Sequence, residues 1–253
     1  MTALTADDFL GGRLTLAQPK AGLRAGSDSV FLAAAVAARP GERVLDVGTG
    51  CGVVALLVAY RLPGVMVDAL EVQPSLVELA SANAEKNGLG DRVRVVEGDL
   101  AQAPRELPHN AFDWVVSNPP YHDPAAATAP PDTAKARAHM ETTLDTRAWV
   151  AQCLKFLKPK GRLAVIQRAD RLADVLAGLS GKAGDIEIMP LWPKAGAVAN
   201  RVIVLARKGG KGPLALTPGL VLHGEGGAFT PAAEAILRHG SPFPHKVAPK
   251  VIP

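Results

Sequence analysis

The tetrapeptide Asn118-Pro119-Pro120-Tyr121 has residue types that suit one chemical task, the handling of a planar amine. Such an amine has two N–H donors and a lone pair that is delocalised, so it is a poor nucleophile. The Asn118 side-chain oxygen and the Pro119 carbonyl can each accept one hydrogen, while the prolines keep the backbone rigid. The paired acceptors would turn the lone pair towards an electrophile, and Tyr121 offers a ring on which a base can stack. These four residues are the candidate catalytic residues, although an isolated segment of this kind would form only a rigid turn.

A glycine-rich segment, Asp46-Val47-Gly48-Thr49-Gly50-Cys51-Gly52, separates a predicted strand from a predicted helix. Its glycines permit a tight turn that brings backbone amides close to a ligand, and the following helix N-terminus adds a positive dipole. Val53 occupies the third glycine position of the G-x-G-x-x-G spacing, so the segment argues against a nicotinamide cofactor. It also lacks the Lys-Ser/Thr pair of a loop that binds nucleoside triphosphates.

Two acidic residues follow the next two predicted strands. Glu71 ends the second strand, where a carboxylate can accept both ribose hydroxyls of a nucleoside. Asp99 follows the third strand and is placed to meet an adenine ring. Either acid alone would be interpreted as a solvated strand end, but their order after the glycine segment predicts a nucleoside site.

Strands alternate with helices over most of the chain, which predicts an α/β fold with a parallel sheet. The predicted strands are residues 43–47, 65–70, 93–97, 112–117, 162–167, 186–191 and 202–206. Helices are predicted at 27–38, 53–60, 74–87, 143–157 and 168–179. No helix separates the last two strands, so we expect a seven-stranded, mostly parallel sheet whose last strand is antiparallel.

The flanking regions carry weaker patterns. Residues 9–19 predict a short strand or hairpin, and Ser27 and Asp28 can cap the following helix. Residues 122–142 are predicted to form a loop. Residues 207–219 are interpreted as a basic linker, and one weak helix is predicted at 231–238.

The segments VLDVGTGCG, LEVQPSLVELASANAEKNGL and GDL resemble the class I methyltransferases that bind S-adenosyl-L-methionine. This resemblance implies a Rossmann-like fold in which the glycine loop holds the methionine part, the strand-two acid the ribose and the later Asp the adenine. The residues that match these roles are Gly48, Gly50 and Gly52, then Glu71, then Asp99. Asp46 would support the loop or the amino group of the cofactor, and Asn118 would also contact the cofactor.

The NPPY tetrapeptide resembles that of amino-methyltransferases, which act on adenine, cytosine or glutamine side-chain amides. The motif does not choose among these amines. About 42 residues precede the first sheet strand, leaving no room for the helical domain of the protein-glutamine enzymes. No recognition domain is inserted before NPPY, unlike in many DNA methyltransferases.

Residues 18–32, QPKAGLRAGSDSVFL, are similar to the bacterial adenine-N6 methyltransferases that modify valine tRNA beside the anticodon. In that family a Gly-Thr-Asp-Ser stretch helps to cover the cofactor, which assigns this role to Gly26, Ser27 and Asp28. The resemblance implies an RNA substrate, most simply tRNA. Lys135, Arg137 and His139 in the predicted loop could contact phosphates, although a solvated loop explains them equally well.

Composition sets broader limits. The 253 residues carry a net charge of +4, which permits a nucleic-acid partner without requiring one. Cys51 and Cys153 have no metal-ligand spacing, so we expect no metal and two reduced thiols in a cytoplasmic protein. No apolar run is long enough to span a bilayer, so no membrane partner is expected. The predicted organisation is an N-terminal segment (1–42), a cofactor-binding methyltransferase domain (43–208) and a basic linker with a C-terminal tail (209–253).

Overall fold

The N-terminal part of the chain forms a hairpin and a helix that precede the main sheet. The computed structural model describes residues 3–21, 24–102, 104–120 and 144–244. Strand β1 (Leu4–Phe9) pairs antiparallel with β2 (Leu14–Pro19) as a separate two-stranded sheet. Helix α1 (Ser27–Ala35) follows, and its N-cap is Gly26, which has no side chain. The predicted hairpin is therefore confirmed, whereas the N-cap position belongs to Gly26 and not to Ser27 or Asp28.

The main sheet contains nine strands among the described residues. Its strands are β3 (Arg43–Val47), β4 (Met66–Glu71), β5 (Val93–Glu97), β6 (Phe112–Ser117), β7 (Leu157–Arg168), β8 (Ala183–Lys194), β9 (Arg201–Lys208), β10 (Ala215–Leu216) and β11 (Leu220–His223). The remaining helices are α2 (Val53–Arg61), α3 (Pro74–Lys86), α4 (Thr146–Phe156), α5 (Leu172–Leu179) and α6 (Pro231–His239), with short 3₁₀ turns at Ala169–Arg171 and Glu225–Gly227.

The strand order reverses beside β3, which places a crevice at the carboxyl ends of the neighbouring strands. The order is β10-β8-β9-β7-β6-β3-β4-β5, and β11 pairs with β8. Strands β3 to β7 are parallel, whereas β9 runs antiparallel to both β7 and β8. Ligands of such sheets bind at the carboxyl ends of the strands where the order reverses. The ends of β3, β4, β5 and β6 are therefore the expected walls of a site.

Apolar side chains on opposite faces of the sheet form two cores. Val44 belongs to the core beneath α1 and α2, and its neighbour Leu45 to the core beneath α4 and α5. The same alternation separates Val116 from Val115. Because both faces are covered, the parallel strands read as nearly continuous apolar runs. Within the described residues, no helix has the length and apolarity to cross a membrane.

The predicted α/β class and the antiparallel last core strand are confirmed, but two further strands extend the sheet. Strands β10 and β11 pair in parallel with the outer edge of β8, within residues predicted as linker and tail. Strand β10 pairs through only two residues at the edge of the sheet, so its sequence shows little of the alternation that predicts a strand. The glycines and lysines around it are typical of linkers.

Residues beyond 208 also reach back to the N-terminal helix. Helix α6 begins at an N-cap, Thr230, whose side chain accepts from the Ala233 amide at 3.2 Å. The Phe243 amide donates to the Ala34 carbonyl at 2.8 Å, and the Phe243 ring is buried. The division at residue 208 stays a prediction, but the described residues after it share the core.

Two asparagines, one in α3 and one at its C-cap, attach the hairpin to the domain. Asn83 is buried, and its side chain exchanges hydrogen bonds with the Ala17 amide (2.8 Å) and carbonyl (2.9 Å). One turn later, Asn87 forms the same pair of bonds with Thr15, at 3.1 Å each. The side chains thus act as a partner for the free edge of β2. Asn83 also donates to the Cys51 carbonyl at 2.9 Å, so it joins the hairpin to the glycine loop.

We expect Asn83→Ala to lower the free energy of unfolding by about 2–4 kcal/mol, because it leaves buried backbone groups without partners. Ser81→Ala on the same helix is the matched control, since Ser81 is exposed and bonds only within its own helix, to the Val77 carbonyl. Urea denaturation would measure both variants. Equal midpoints for the two variants would contradict the role assigned to Asn83.

Candidate active site

A cavity with a volume of about 320 Å³ lies at the carboxyl ends of β3, β4, β5 and β6. This volume is within the range of small-molecule sites. Predicted site residues that line it are Gly48, Gly50, Glu71, Asp99, Asn118, Pro119 and Pro120. The structure therefore brings the glycine segment, both acids and the Asn-Pro-Pro turn to one cavity.

The glycine loop is held against β4 by its own backbone. The Gly48 and Thr49 amides both donate to the Leu70 carbonyl, at 2.9 and 3.0 Å. Gly48 has φ +72°, and a Cβ there would lie only 3.1 Å from the Trp149 ring. Both conditions exclude a side chain at Gly48.

Trp149 of α4 connects the loop to the end of β6. Its indole N–H donates to the Ser117 hydroxyl at 2.9 Å, and that hydroxyl donates to the Val47 carbonyl at 2.8 Å. The three groups are buried. Because Asn118 follows Ser117 directly, this chain of bonds determines where the Asn-Pro-Pro turn begins.

Glu71 is buried at the end of β4 and ties the loop to the next turn. One carboxylate oxygen accepts from the Gly50 amide at 2.8 Å, and the other accepts from the Val72 and Gln73 amides at 3.0 and 3.1 Å. Carboxylates in such a setting are well oriented. Glu71 therefore positions the loop as well as forming part of the cavity wall.

Asp46 lies behind the loop and is not among the described residues that line the cavity. Its Oδ2 accepts from the Thr49 hydroxyl at 2.6 Å and from the Ala55 amide at 3.1 Å. Burial raises the pKa of Asp46 from 3.8 to about 7, against the lowering effect of these two hydrogen bonds. These contacts match a role for Asp46 in supporting the loop.

Asp99 and the Asn-Pro-Pro turn lie on other walls of the cavity. The Asp99 carboxylate accepts from the Ala101 amide at 2.8 Å, which fixes its orientation. Asn118 is half-buried, and Pro119 is buried. Tyr121, the predicted loop 122–142 and its Lys135, Arg137 and His139 lie outside the described residues.

Four predicted cofactor contacts occupy other positions. Gly52 begins α2, and a Cβ there would lie 3.2 Å from the Ala80 Cβ, so this glycine permits α2 to approach α3. Gly26, Ser27 and Asp28 are absent from the described cavity wall, whereas Ala25 and Ser29 belong to it. Asp28 instead forms an ion pair with Arg201 at 2.8 Å. Contact of these four residues with a cofactor stays a prediction.

Two residues that line or support the cavity, Trp149 and Gln18, are not indicated by the sequence pattern. In the sequence, Trp149 is recognisable only as an apolar residue in a predicted helix. Gln18 is recognisable only as a polar residue in a predicted strand. The Cys51 thiol contacts the Gln18 side-chain oxygen at 3.6 Å, which joins the hairpin to the glycine loop. Cys51 itself is buried within the glycine loop.

The basic residues at 207–211 lie away from the cavity. Lys208 donates to the Asn110 side chain and to the Leu157 carbonyl, both at 2.8 Å. Because β9 runs antiparallel to β7, its C-terminal end lies beside the N-terminal ends of the parallel strands. The cavity lies at the other ends of those strands. Lys208 and its neighbours therefore do not extend a basic surface from the cavity.

The glycine loop after β3, acids after β4 and β5, and an Asn-Pro-Pro turn after β6 define an S-adenosyl-L-methionine-dependent methyltransferase. The methyltransferase small domain model matches residues 22–187, more than half of the chain, and the chain belongs to that family.

Named relatives and a solved structure agree with this assignment. A Porphyromonas gingivalis protein named tRNA1(Val) (adenine(37)-N6)-methyltransferase is 33% identical over 178 residues, covering 68% of this chain and 69% of that protein. A Yersinia pestis protein of the same name is 32% identical over 182 residues, covering 72% of each. The crystal structure of a predicted O-methyltransferase from Agrobacterium tumefaciens is similar with a TM-score of 0.73 at 26% identity, covering 87% of this chain and 100% of that chain.

We expect Gly48→Ala to weaken cofactor binding at least about 10-fold, because the added methyl group forces the loop away from Trp149. Gly88→Ala is the matched control: Gly88 also has a positive φ (+66°), but nothing lies within 4 Å of its Cβ position. Titration calorimetry with S-adenosylmethionine would compare them. Equal affinities would show that contact with Trp149 does not constrain the loop.

Asp46 should make stability depend on pH. The folded state keeps its proton up to about pH 7, whereas the unfolded chain loses it near 3.8. The folded state binds more protons in this window, so the free energy of unfolding falls as pH rises, by on the order of a few kcal/mol.

Asp46→Asn should flatten this dependence between pH 4 and 7, whereas the surface variant Asp91→Asn should keep it. Denaturant titration of the cofactor-free protein at several pH values would measure the slopes. A wild-type slope in Asp46→Asn would contradict the assignment to Asp46.

Proposed function

We propose that this methyltransferase transfers the methyl group to the exocyclic N6 amine of an adenine in tRNA, near the anticodon. The observation that carries the proposal is that Asn118 and Pro119 line the same cavity as the glycine loop and Glu71. The groups that we assign to the cofactor and those that we assign to the amine therefore share one cavity, as transfer between two bound molecules requires.

The residues that line the cavity suit S-adenosylmethionine. Gly48 packs against the Trp149 ring, and both residues line the cavity beside Glu71 and Asp99. We assign the glycine loop around Gly48 and Gly50 to the amino-acid part, Glu71 to the ribose and Asp99 to the adenine. When bound, the cofactor supplies an electrophilic methyl group on its sulfonium.

Asn118 and Pro119 would prepare the substrate amine. Each offers one oxygen acceptor to one N–H of the amine, so the lone pair points out of the plane and towards the methyl group. The nitrogen loses a proton once it has four bonds, and water can take that proton from so acidic an ammonium. Orientation supplies much of the rate in such a scheme.

The choice of adenine in tRNA rests on the relatives and on the N-terminal segment. Both relatives reported above are named for adenine 37 of a valine tRNA. The Gly26-Ser27-Asp28 stretch resembles the same group of enzymes. A tRNA substrate also supports the proposal that the protein works in the cytoplasm.

Asn118→Ala should lower kcat roughly 100- to 1,000-fold, because one of two positioned acceptors is lost. Its affinity for S-adenosylmethionine should stay within about 3-fold of wild type, since the loop and Glu71 are unchanged. Asn110→Ala is the matched control, because Asn110 precedes β6 at the opposite edge of the sheet. Full activity of Asn118→Ala would disprove the mechanism.

The substrate is tested with labelled S-adenosylmethionine and unmodified tRNA, followed by digestion to nucleosides and mass analysis. Labelled N6-methyladenosine supports the proposal. Label in another nucleoside, in ribosomal RNA, in protein glutamine or in a small molecule would replace adenine in tRNA with that planar amine.

A further inference from the structure

Both acidic and basic side chains line the cavity. Among the described residues that line it, Glu71 and Asp99 are the acids and Arg24 is the one cation. Glu71 ends β4 and Asp99 follows β5, whereas Arg24 precedes α1. The acidic and basic groups that line the cavity are therefore provided by different parts of the chain.

Gln18 holds the segment around Arg24 against the glycine loop. Its side chain accepts from the Ala25 amide at 2.9 Å and donates to the Ala25 carbonyl at 3.3 Å. Gln18 is 1% exposed, and its oxygen also contacts the Cys51 thiol. Arg24 thus precedes a residue whose backbone is fixed on both sides.

Asp7 orients the Arg24 guanidinium. The Arg24 Nη2 lies 2.7 and 2.6 Å from the two Asp7 oxygens. Thr5 and Gln18 donate to Asp7 at 3.0 and 3.1 Å, so the carboxylate is itself positioned. Both contacts use Nη2, and a guanidinium has five N–H donors. Within the described residues, Nε and Nη1 therefore still have donors for a further acceptor.

Electrostatic effects at Cys51 agree with this position. Burial raises the pKa of Cys51 to about 11, with smaller contributions from Asp7 and Glu71, which raise it, and Arg24, which lowers it. These three charges therefore lie close to the glycine loop.

S-adenosylmethionine carries one anionic group, the carboxylate of its amino-acid end, beside an ammonium and a sulfonium. Glu71 and Asp99 repel that carboxylate, and Arg24 attracts it. We propose that Arg24, oriented by Asp7, binds the cofactor carboxylate and so fixes the position of the amino-acid part in the cavity. The proposal concerns the cofactor alone and does not depend on which amine is methylated.

Decarboxylated S-adenosylmethionine is the sharpest probe, because it lacks only the group in question. Calorimetry on the full chain should give wild-type protein a roughly 10- to 100-fold weaker affinity for it than for S-adenosylmethionine. Arg24→Ala should lose about the same factor for S-adenosylmethionine and less than about 3-fold for the decarboxylated compound.

Arg24→Lys keeps the charge but not the planar fork, so it should fall between wild type and Arg24→Ala for S-adenosylmethionine. Arg39→Ala is the matched control, an exposed arginine before β3 and distant from the cavity wall. Equal loss of both ligands in Arg24→Ala would assign Arg24 a structural role and overturn the proposal. Equal affinity of wild-type protein for both ligands would overturn it without any variant.

Discussion

The glycine loop between β3 and α2 is the constraint on which the site depends. Its backbone has to turn with positive φ and pass directly over the Trp149 ring, which only glycine at position 48 allows. Hydrogen bonds from the Gly48 and Thr49 amides to the Leu70 carbonyl, and from the Gly50 amide to the Glu71 carboxylate, hold this path. Asp46 holds it from behind through Thr49. The walls of the cavity therefore depend on the conformation of this one short loop.

This dependence explains why the hairpin contributes to a site built on the sheet. Asn83 bonds both to Ala17 in β2 and to the Cys51 carbonyl, and Gln18 bonds to Ala25 and to the Cys51 thiol. Removal of the hairpin would leave buried polar groups of α3 and of the loop without partners, which is costly in an apolar setting. The loop and the N-terminal segment are one hydrogen-bonded unit, even though β1 and β2 do not join the main sheet.

The sequence pattern predicts those elements whose structure is determined by residues that are close together in the sequence. The core strands, most helices and the chemical motifs at strand ends follow from apolar periodicity, helix-stop residues and residue type. Long-range packing decides the rest. Trp149 meets Gly48 only because α4 folds across the sheet, and β10 pairs through two residues on an edge. Ser27 and Asp28 have good capping side chains, yet Asp28 pairs with Arg201 in β9, a residue far away in sequence.

Cofactor binding and amine binding are assigned to different strands, and this separation has a chemical consequence. In the proposed arrangement, residues at the ends of β3, β4 and β5 bind the cofactor, whereas the two proposed amine acceptors follow β6. One of those acceptors is a backbone carbonyl. Both acceptors would bind only the two N–H groups of the amine, which adenine, cytosine and carboxamides all present. The acceptors therefore select a planar amine and not a particular base. Selection of one base in one RNA has to come from surfaces that contact the rest of the substrate, which is how a common fold serves many substrates.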